Sequence, residues 1–497
     1  MMRKIALNRE VGTSLVLTIF SLIVYTITLA PTFSWGDSSD LAQRIIKPEI
    51  DTASFNYRTR DYDLFRLISR IFQLLPYRDE AVGANFASAF FGALTIGLVT
   101  YLTSILSKSI YAGIVAGLAL TISHTFWLLS VIAEVYTFTT FLIFTCFVLL
   151  TRWTLTGDWN YLYFSGLFSG LLISHHPSGL VGIVCLVPYV WISFHKLKSV
   201  KVVFPIILLA VGSVFYVDLV RFKLKLDLGL LETLAILPPV NPMHNNSILQ
   251  STLNYTGYLM YNFAGLGIIF FLLGIIYCVR NFTQLLLPPI LFSLLILVSG
   301  ITSSIPDKYN IYVLTYPSFA IIVGFGFELV RIKFRLHRNA IVVFMMLIVM
   351  IPPVTYFTVT KISNALKVDL TSAREAPFRN NNEYFLWPPK NGDYGARVYA
   401  TRALTKVSFR GILLADYTMY MPLMYLQEVE GFRTDVELLF VEQYYEYPGG
   451  ISNFVEKELQ SRRIFLGTNK PESYYRIEEL RTNFRIVSQY PIFELRK

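Results

Sequence analysis

The sequence predicts a mainly α, polytopic helical membrane protein with a small α/β region at its C-terminal end. Of its 497 residues 54% are hydrophobic and only 15% charged, far less charge than a soluble chain of this length carries. Mean hydropathy is correspondingly high, at +0.51. Apolar runs near the ~20 residues that cross a bilayer recur along most of the chain. Beyond about residue 360 the pattern changes to short strands alternating with helices, which suits an α/β domain outside the membrane. The expected division is therefore 1–359, a transmembrane domain that includes a long first loop at 32–80, and 360–497, an extracytoplasmic α/β domain.

With roughly 20 residues per span, about 11 crossings are expected. They lie near 11–31, 81–104, 110–128, 134–152, 160–175, 178–194, 202–220, 256–278, 283–301, 310–330 and 340–358. The segment Ser174-His175-His176-Pro177-Ser178-Gly179 interrupts the fifth and sixth. Met1 to Glu10 is short and basic and precedes a long apolar run. A cleaved signal peptide has a shorter core, so a retained anchor is expected. Gly265-Leu266-Gly267 and Gly324-Phe325-Gly326 fall inside spans, where small residues suggest close helix packing rather than a dinucleotide loop. In the C-terminal region Arg410–Asp416, Asp435–Val441 and Arg463–Gly467 read as strands, and Pro422–Glu430 and Asn453–Gln460 as helices.

The basic residues orient the chain. Arg3, Lys4 and Arg9, then Lys196, Lys198 and Lys201, then Arg331, Lys333, Arg335 and Arg338 fall on one side of the predicted spans. The positive-inside rule makes that side cytoplasmic. The net charge of +10 thus sits at helix ends and is no nucleic-acid footprint. Cys146, Cys185 and Cys278 all lie in apolar runs, so no disulfide framework is implied. The sequons at Asn245 and Asn254 carry weight only in a cell that glycosylates asparagine.

The polar residues of interest then face the other side. Trp35-Gly36-Asp37-Ser38-Ser39-Asp40-Leu41 places two carboxylates three residues apart where the first span ends. Such a group can accept a proton from a hydroxyl nucleophile or hold a metal that activates one. The structural alternative is an Asx turn, with Asp37 capping a helix that begins near Ser38. Further along the loop, Leu64, Leu67, Ile68, Ile71 and Leu75 recur at helical spacing with Arg66 and Arg70 off that stripe, as in a helix lying in the membrane interface.

Ionisable groups near membrane depth need a reason. Glu134, beside Tyr136, is either a helix-terminus carboxylate or a contact in the cavity of Asp37. His175 and His176 point about 100° apart on a helix and converge only if Pro177 and Gly179 break it. Zinc lacks a third ligand at suitable spacing, and a hydrogen bond to a lipid phosphate suits this pair better. Arg58, Arg60 and Lys308 are snorkelling anchors singly. Together with Asp37 they suit a phosphate-linked donor, whose leaving group needs cations and whose attacker needs a base.

This arrangement resembles the GT-C superfamily of membrane glycosyltransferases. More narrowly it resembles the protein O-mannosyltransferase family typified by transmembrane protein 260. The resemblance is carried by the Trp35–Leu41 block, Asn85-Phe86-Ala87-Ser88-Ala89, Trp127 through Ala133-Glu134-Val135-Tyr136, Tyr309-Asn310-Ile311-Tyr312-Val313 and Tyr425 to Val436. It implies an integral-membrane enzyme that moves a sugar, mannose or another hexose, from a polyprenyl-phosphate carrier to a Ser/Thr hydroxyl of a protein. Asp37 matches the family's acidic position and inherits the role of general base in an inverting transfer, with Asp40 at the second acidic position. Relatives carry a His-Pro-rich stretch in the first loop, where this chain has Arg58-Thr59-Arg60-Asp61-Tyr62-Asp63. Arg60 would supply the positive charge that a histidine supplies elsewhere, and Asp61 or Asp63 could share the chemistry.

The expected partners are membrane lipid, a polyprenyl-phosphate sugar donor and an acceptor protein or glycan, with no nucleic acid; a divalent metal stays open. The second reading is the same fold acting on a lipid or cell-envelope glycan. The third is a non-catalytic lipid or glycan transporter, which would carry midplane charges and inverted repeats that this sequence lacks. A prokaryotic plasma membrane is favoured over the endoplasmic reticulum, because the chain lacks long luminal additions.

Overall fold

The computed structural model describes residues 2–48, 62–176, 178–197, 199–214, 216, 248–281, 283–302, 308–371, 373–444, 447–470 and 477–497. Among these, six helices are long and apolar enough to cross a membrane: Arg9–Ile27, Ala81–Ser107, Tyr136–Thr156, Gln284–Thr302, Tyr309–Lys333 and Arg338–Leu366. Two further pairs pass together but bend at a short break, Ile110–Thr121 with His124–Ser130 by 66° and Ile248–Asn262 with Leu266–Arg280 by 112°. Two shorter apolar stretches, Ser178–Ile192 and Val200–Gly212, and the helix Trp159–His175 complete the set. This agrees with the roughly 11 apolar segments expected from length alone. The chain is a multi-pass integral membrane protein.

Large apolar side chains that would face water in a soluble protein stay exposed on these helices, among them Leu15, Val16, Val343, Met346 and Met350. Lipid is their natural neighbour. Helix contacts, by contrast, use small residues. A methyl group at Gly326 would lie 1.7 Å from the Phe270 carbonyl oxygen, and one at Gly274 would lie 1.9 Å from that of Ile322. Helices Leu266–Arg280 and Tyr316–Lys333 therefore touch backbone to backbone. The expected packing role thus holds for Gly326, against Phe270 and Gly274, and for Gly324, whose added carbon would lie 2.5 Å from the Ala112 carbonyl oxygen.

The two bent spans meet at their breaks. Asn262 accepts the Thr125 N–H at 2.7 Å, and its amide donates to Thr125 Oγ1 and the Tyr316 hydroxyl. The buried Tyr356 hydroxyl lies 3.1 Å from the carbonyl oxygens of both Ile122 and Asn262. A broken helix frees backbone groups that lipid cannot satisfy, and here one break satisfies the other.

In the first loop, Asp37–Ile46 forms a buried helix entered through Gly36, whose φ of 56° is left-handed. Gly36 occupies the cap and no side chain caps the helix, so Asp37 is the first helical residue and not the cap expected of an Asx turn. The amphipathic stretch is helical only over Asp63–Ser69 and tightens to a 3₁₀ turn at Arg70–Leu74. The predicted stripe divides already within the α-helical part. Leu64 and Phe65 turn inward, while Leu67, Ile71 and Leu74 stay exposed.

The C-terminal region holds a five-stranded sheet of order β2-β1-β3-β5-β4. Strands β1 (Ile412–Ala415), β2 (Glu437–Phe440) and β3 (Ile464–Leu466) are parallel and match the predicted strands. The antiparallel pair β4 (Arg485–Gln489) and β5 (Ile492–Arg496) was not foreseen. The helix after β1, Tyr417–Glu428, packs on the first loop, with Tyr425 centred 4.3 Å from Phe33, and Tyr399 of the preceding helix Gly395–Lys406 lies 5.5 Å from Trp35.

Candidate active site

The two carboxylates of the first-loop block have different surroundings. Asp40 is buried and ion-paired to Arg44, one helical turn on, at 2.5 Å. Gln43 donates to its other oxygen at 3.5 Å, and the Tyr417 hydroxyl reaches it at 3.4 Å. Asp37 is exposed, and it too is hydrogen-bonded to the Tyr417 hydroxyl. Burial pulls the Arg44 guanidinium down, but Asp40, Tyr417 and Asp37 together outweigh it and leave Arg44 raised, hence firmly protonated. Of the pair, Asp40 is buried against the Arg44 guanidinium, while Asp37 is exposed at the start of the helix.

Behind Arg44 stands the helix Asp63–Ser69. Arg66 pairs with Asp63 at 2.5 Å, and burial followed by repulsion from Arg44 lowers its guanidinium. On the other flank of this helix lie the histidines. Tyr62 is centred 5.7 Å from His176 and 6.0 Å from His175. His175 is enclosed by Phe138 and Phe65 and hydrogen-bonded to Thr139 at 3.1 Å, whereas His176 bonds Ser178 and approaches Tyr136 at 5.8 Å. The helix ends at His175, so the expected break exists, yet the two rings remain 6.1 Å apart. Tyr62, Tyr136, His175 and His176 thus form one cluster of rings at the start of the helix Asp63–Ser69.

A second cluster was not legible in the sequence. The segment after helix Arg338–Leu366 returns across the first-loop block and brings Arg374, Arg379, Tyr384 and Lys390 with it. Arg374 pairs with the buried Asp416 at 2.9 Å and donates to Thr418. Arg379 lies 5.5 Å over the ring of Trp35, 5.4 Å over Tyr384 and 5.2 Å over Phe385. Its polar contacts are Asn381 and the Arg374 carbonyl, so among the described residues it has no acidic partner. Burial lowers its guanidinium. Lys390, only 2% exposed, donates to the carbonyls of Trp387 and Pro388 and likewise faces Tyr384 at 5.4 Å, with no ion pair among the described residues. Burial pushes its ammonium down to about 7. Tyr384 bonds Ser34 at 2.8 Å and feels the charge of Glu134, and Tyr309 lies near Arg379 and Phe385. Glu134 and Tyr309 are thus near neighbours of Tyr384 and of Arg379 with Phe385, respectively.

Arg58, Arg60 and Asp61 lie outside the described residues, as does the side chain of Lys308, whose backbone starts the helix Lys308–Tyr312. No group of three His, Cys, Asp or Glu among the described residues could hold a metal. The donor set at the loop also fits a divalent ion poorly, since a metal on Asp40 would have to displace Arg44. No step is therefore assigned to a metal. Arg44 could have been found from its spacing, four residues after Asp40. Arg379, Lys390 and Tyr417 carry no such local signal.

Comparison with known proteins bears on this geometry. The family model described as the Protein O-mannosyl-transferase TMEM260 N-terminal domain matches residues 61–202. The Protein O-mannosyl-transferase TMEM260 of Mus musculus is 27% identical over 190 residues, 37% of this chain and 26% of that protein. The match thus spans about a quarter of the relative's length. The crystal structure of ArnT from Cupriavidus metallidurans in the apo state superposes with a TM-score of 0.59 at 12% identity, over 97% of both chains. The chain thus shares the fold of that structure, and, of the sequence blocks, those at 85–89 and 127–136 lie within the residues matched by the family model.

Proposed function

We propose that this protein is a membrane glycosyltransferase that moves a hexose from a polyprenyl-phosphate carrier to a Ser/Thr hydroxyl of a protein. The O-mannosyl-transferase relative supports mannose as the sugar and protein as the acceptor. The observation that supports the reading is an exposed Asp37 on the first-loop block, where Arg379 lies over the ring of Trp35 and, among the described residues, forms no ion pair. Asp37 accepts the hydroxyl proton, and the oxygen attacks the anomeric carbon from the face opposite the phosphate. The bond from that carbon to the phosphate oxygen breaks, its electron pair leaving with the lipid phosphate and the configuration inverting. A cation without a carboxylate is free to take up the charge that grows on the phosphate. Asp40, held by Arg44, keeps the local field and the helix in place. The reaction is assigned to the extracytoplasmic face on the distribution of basic residues.

The test is sugar transfer in purified membranes from labelled polyprenyl-phosphate mannose and glucose, with Asp37→Asn beside the unmutated chain. Transfer that vanishes in a folded, inserted Asp37→Asn supports the base. Unchanged transfer in that variant moves the search to Asp40, Asp61 and Asp63. No transfer from either donor by the unmutated chain overturns the choice of donor.

A further inference from the structure

Tyr417, in the C-terminal α/β region, reaches both first-loop carboxylates. It stands directly after β1, at the N-terminal end of the helix Tyr417–Glu428. Its hydroxyl lies 3.4 Å from Asp40 and is hydrogen-bonded to Asp37 as well. Its position is braced from both sides. Asp416 caps the helix at the Met419 N–H and is itself gripped by Arg374. The Gly36 N–H donates to the Thr418 carbonyl at 3.4 Å, tying the entry of the Asp37 helix to the same turn. Burial first, then the two carboxylates, hold the phenol well above its ordinary range, so it stays protonated and acts as a donor.

Resting on the function proposed above, we infer that Tyr417 is a positioning residue for Asp37, donating a hydrogen bond that holds the base ionised and aimed. The carboxyl-terminal region thereby completes a site whose base lies in the first loop. A donor to the charged form of a carboxylate favours ionisation, so losing it raises the pH at which the base becomes active. Among the described residues the other charged groups around this helix are Asp40 and Arg44 on the helix itself, Lys47 at its end, Asp63 and Arg66 on the neighbouring helix, Arg70 on the turn that follows it, Glu428 at the far end of the Tyr417 helix, and Asp416 with Arg374 behind Tyr417. Helix Ala81–Ser107, packed on the remaining side, has no charged residue. None of these groups is removed by Tyr417→Phe.

The experiment measures initial transfer rates at low donor concentration from pH 5 to 9, using labelled polyprenyl-phosphate mannose and a Ser/Thr-rich peptide. The unmutated chain, Asp37→Asn, Tyr417→Phe and Thr418→Val are compared, each with its melting temperature. In Tyr417→Phe the acid-side midpoint should move up by about half a unit to one unit, with a several-fold loss at low pH and near-normal rates at high pH. Thr418→Val, which touches Arg374 but neither carboxylate, should leave the midpoint in place. If Tyr417→Phe melts early, 3-fluorotyrosine at position 417 replaces it; as a stronger donor of nearly the same shape it should move the midpoint down. An unmoved midpoint overturns the inference, including a loss that is equal at every pH. Full activity in Asp37→Asn removes the base and this inference with it, and no transfer by the unmutated chain overturns the proposed function itself.

Discussion

Arg44 and Asp40 stand 2.5 Å apart with both side chains 5% exposed, one helical turn from each other in the first loop. The pair divides the labour between two carboxylates that look equivalent in sequence. A buried ion pair leaves its partner stranded when one member is removed, at a cost of about 3–5 kcal/mol. Arg44→Gln should therefore lower the melting temperature far more than Asp37→Asn, which removes an exposed charge. Equal melting of the two variants in detergent would refute this division.

The second expectation concerns the joined breaks. Asn262→Leu removes the acceptor of the buried Thr125 N–H and the amide donor to Tyr316. An orphaned buried donor costs ~1–3 kcal/mol. The variant should melt several degrees lower, and Tyr356→Phe, which frees the carbonyls of Ile122 and Asn262, should do the same. Independent, fully additive effects of the two changes would argue against a shared junction.

Lys390 predicts a pH dependence. Its ammonium titrates at about 7 when folded, below the ordinary lysine value of 10.5, because burial disfavours the charge. Between those values the unfolded chain binds a proton that the folded chain does not, so stability rises with pH across this window. Asp393 acts in the opposite sense without cancelling the shift. Lys390→Met should flatten the rise of melting temperature between pH 7 and about 10, and should melt higher than the unmutated chain at pH 7. An unchanged slope would show that the ammonium is solvated.

Helix contact through glycine gives a fourth expectation. Gly326→Ala puts a methyl carbon 1.7 Å from the Phe270 carbonyl oxygen, where only backbone could yield. Overpacking of this kind costs about 1–3 kcal/mol. Gly392→Ala, with nothing within 4 Å of the added carbon, is the matched control. Loss of folded yield in the first and not in the second is the expected result.

Much of the membrane architecture was legible because apolar length is a local property. The runs at 81–104 and 134–152 reappear as Ala81–Ser107 and Tyr136–Thr156. The bends are less legible. The single spans expected at 110–128 and 256–278 are each broken, and the partners that tolerate the breaks, Asn262 and Tyr356, lie on other helices. The strands β4 and β5 are no shorter than β1, β2 and β3, but β4 is largely half-buried and its alternation is weak, so it carries little local signal.

The sequence by itself determined that this chain crosses the membrane many times, that an acidic block follows its first span, and that an α/β region closes it. Those features rest on composition and periodicity, which neighbouring residues carry among themselves. Only the tertiary structure decided that Asp40 is neutralised while Asp37 is exposed, and that Tyr417, Arg379 and Lys390 stand beside the first loop. Tyr417 meets Asp40 across 377 positions of chain. At that separation, burial and charge compensation, rather than any spacing in the sequence, select which groups come together.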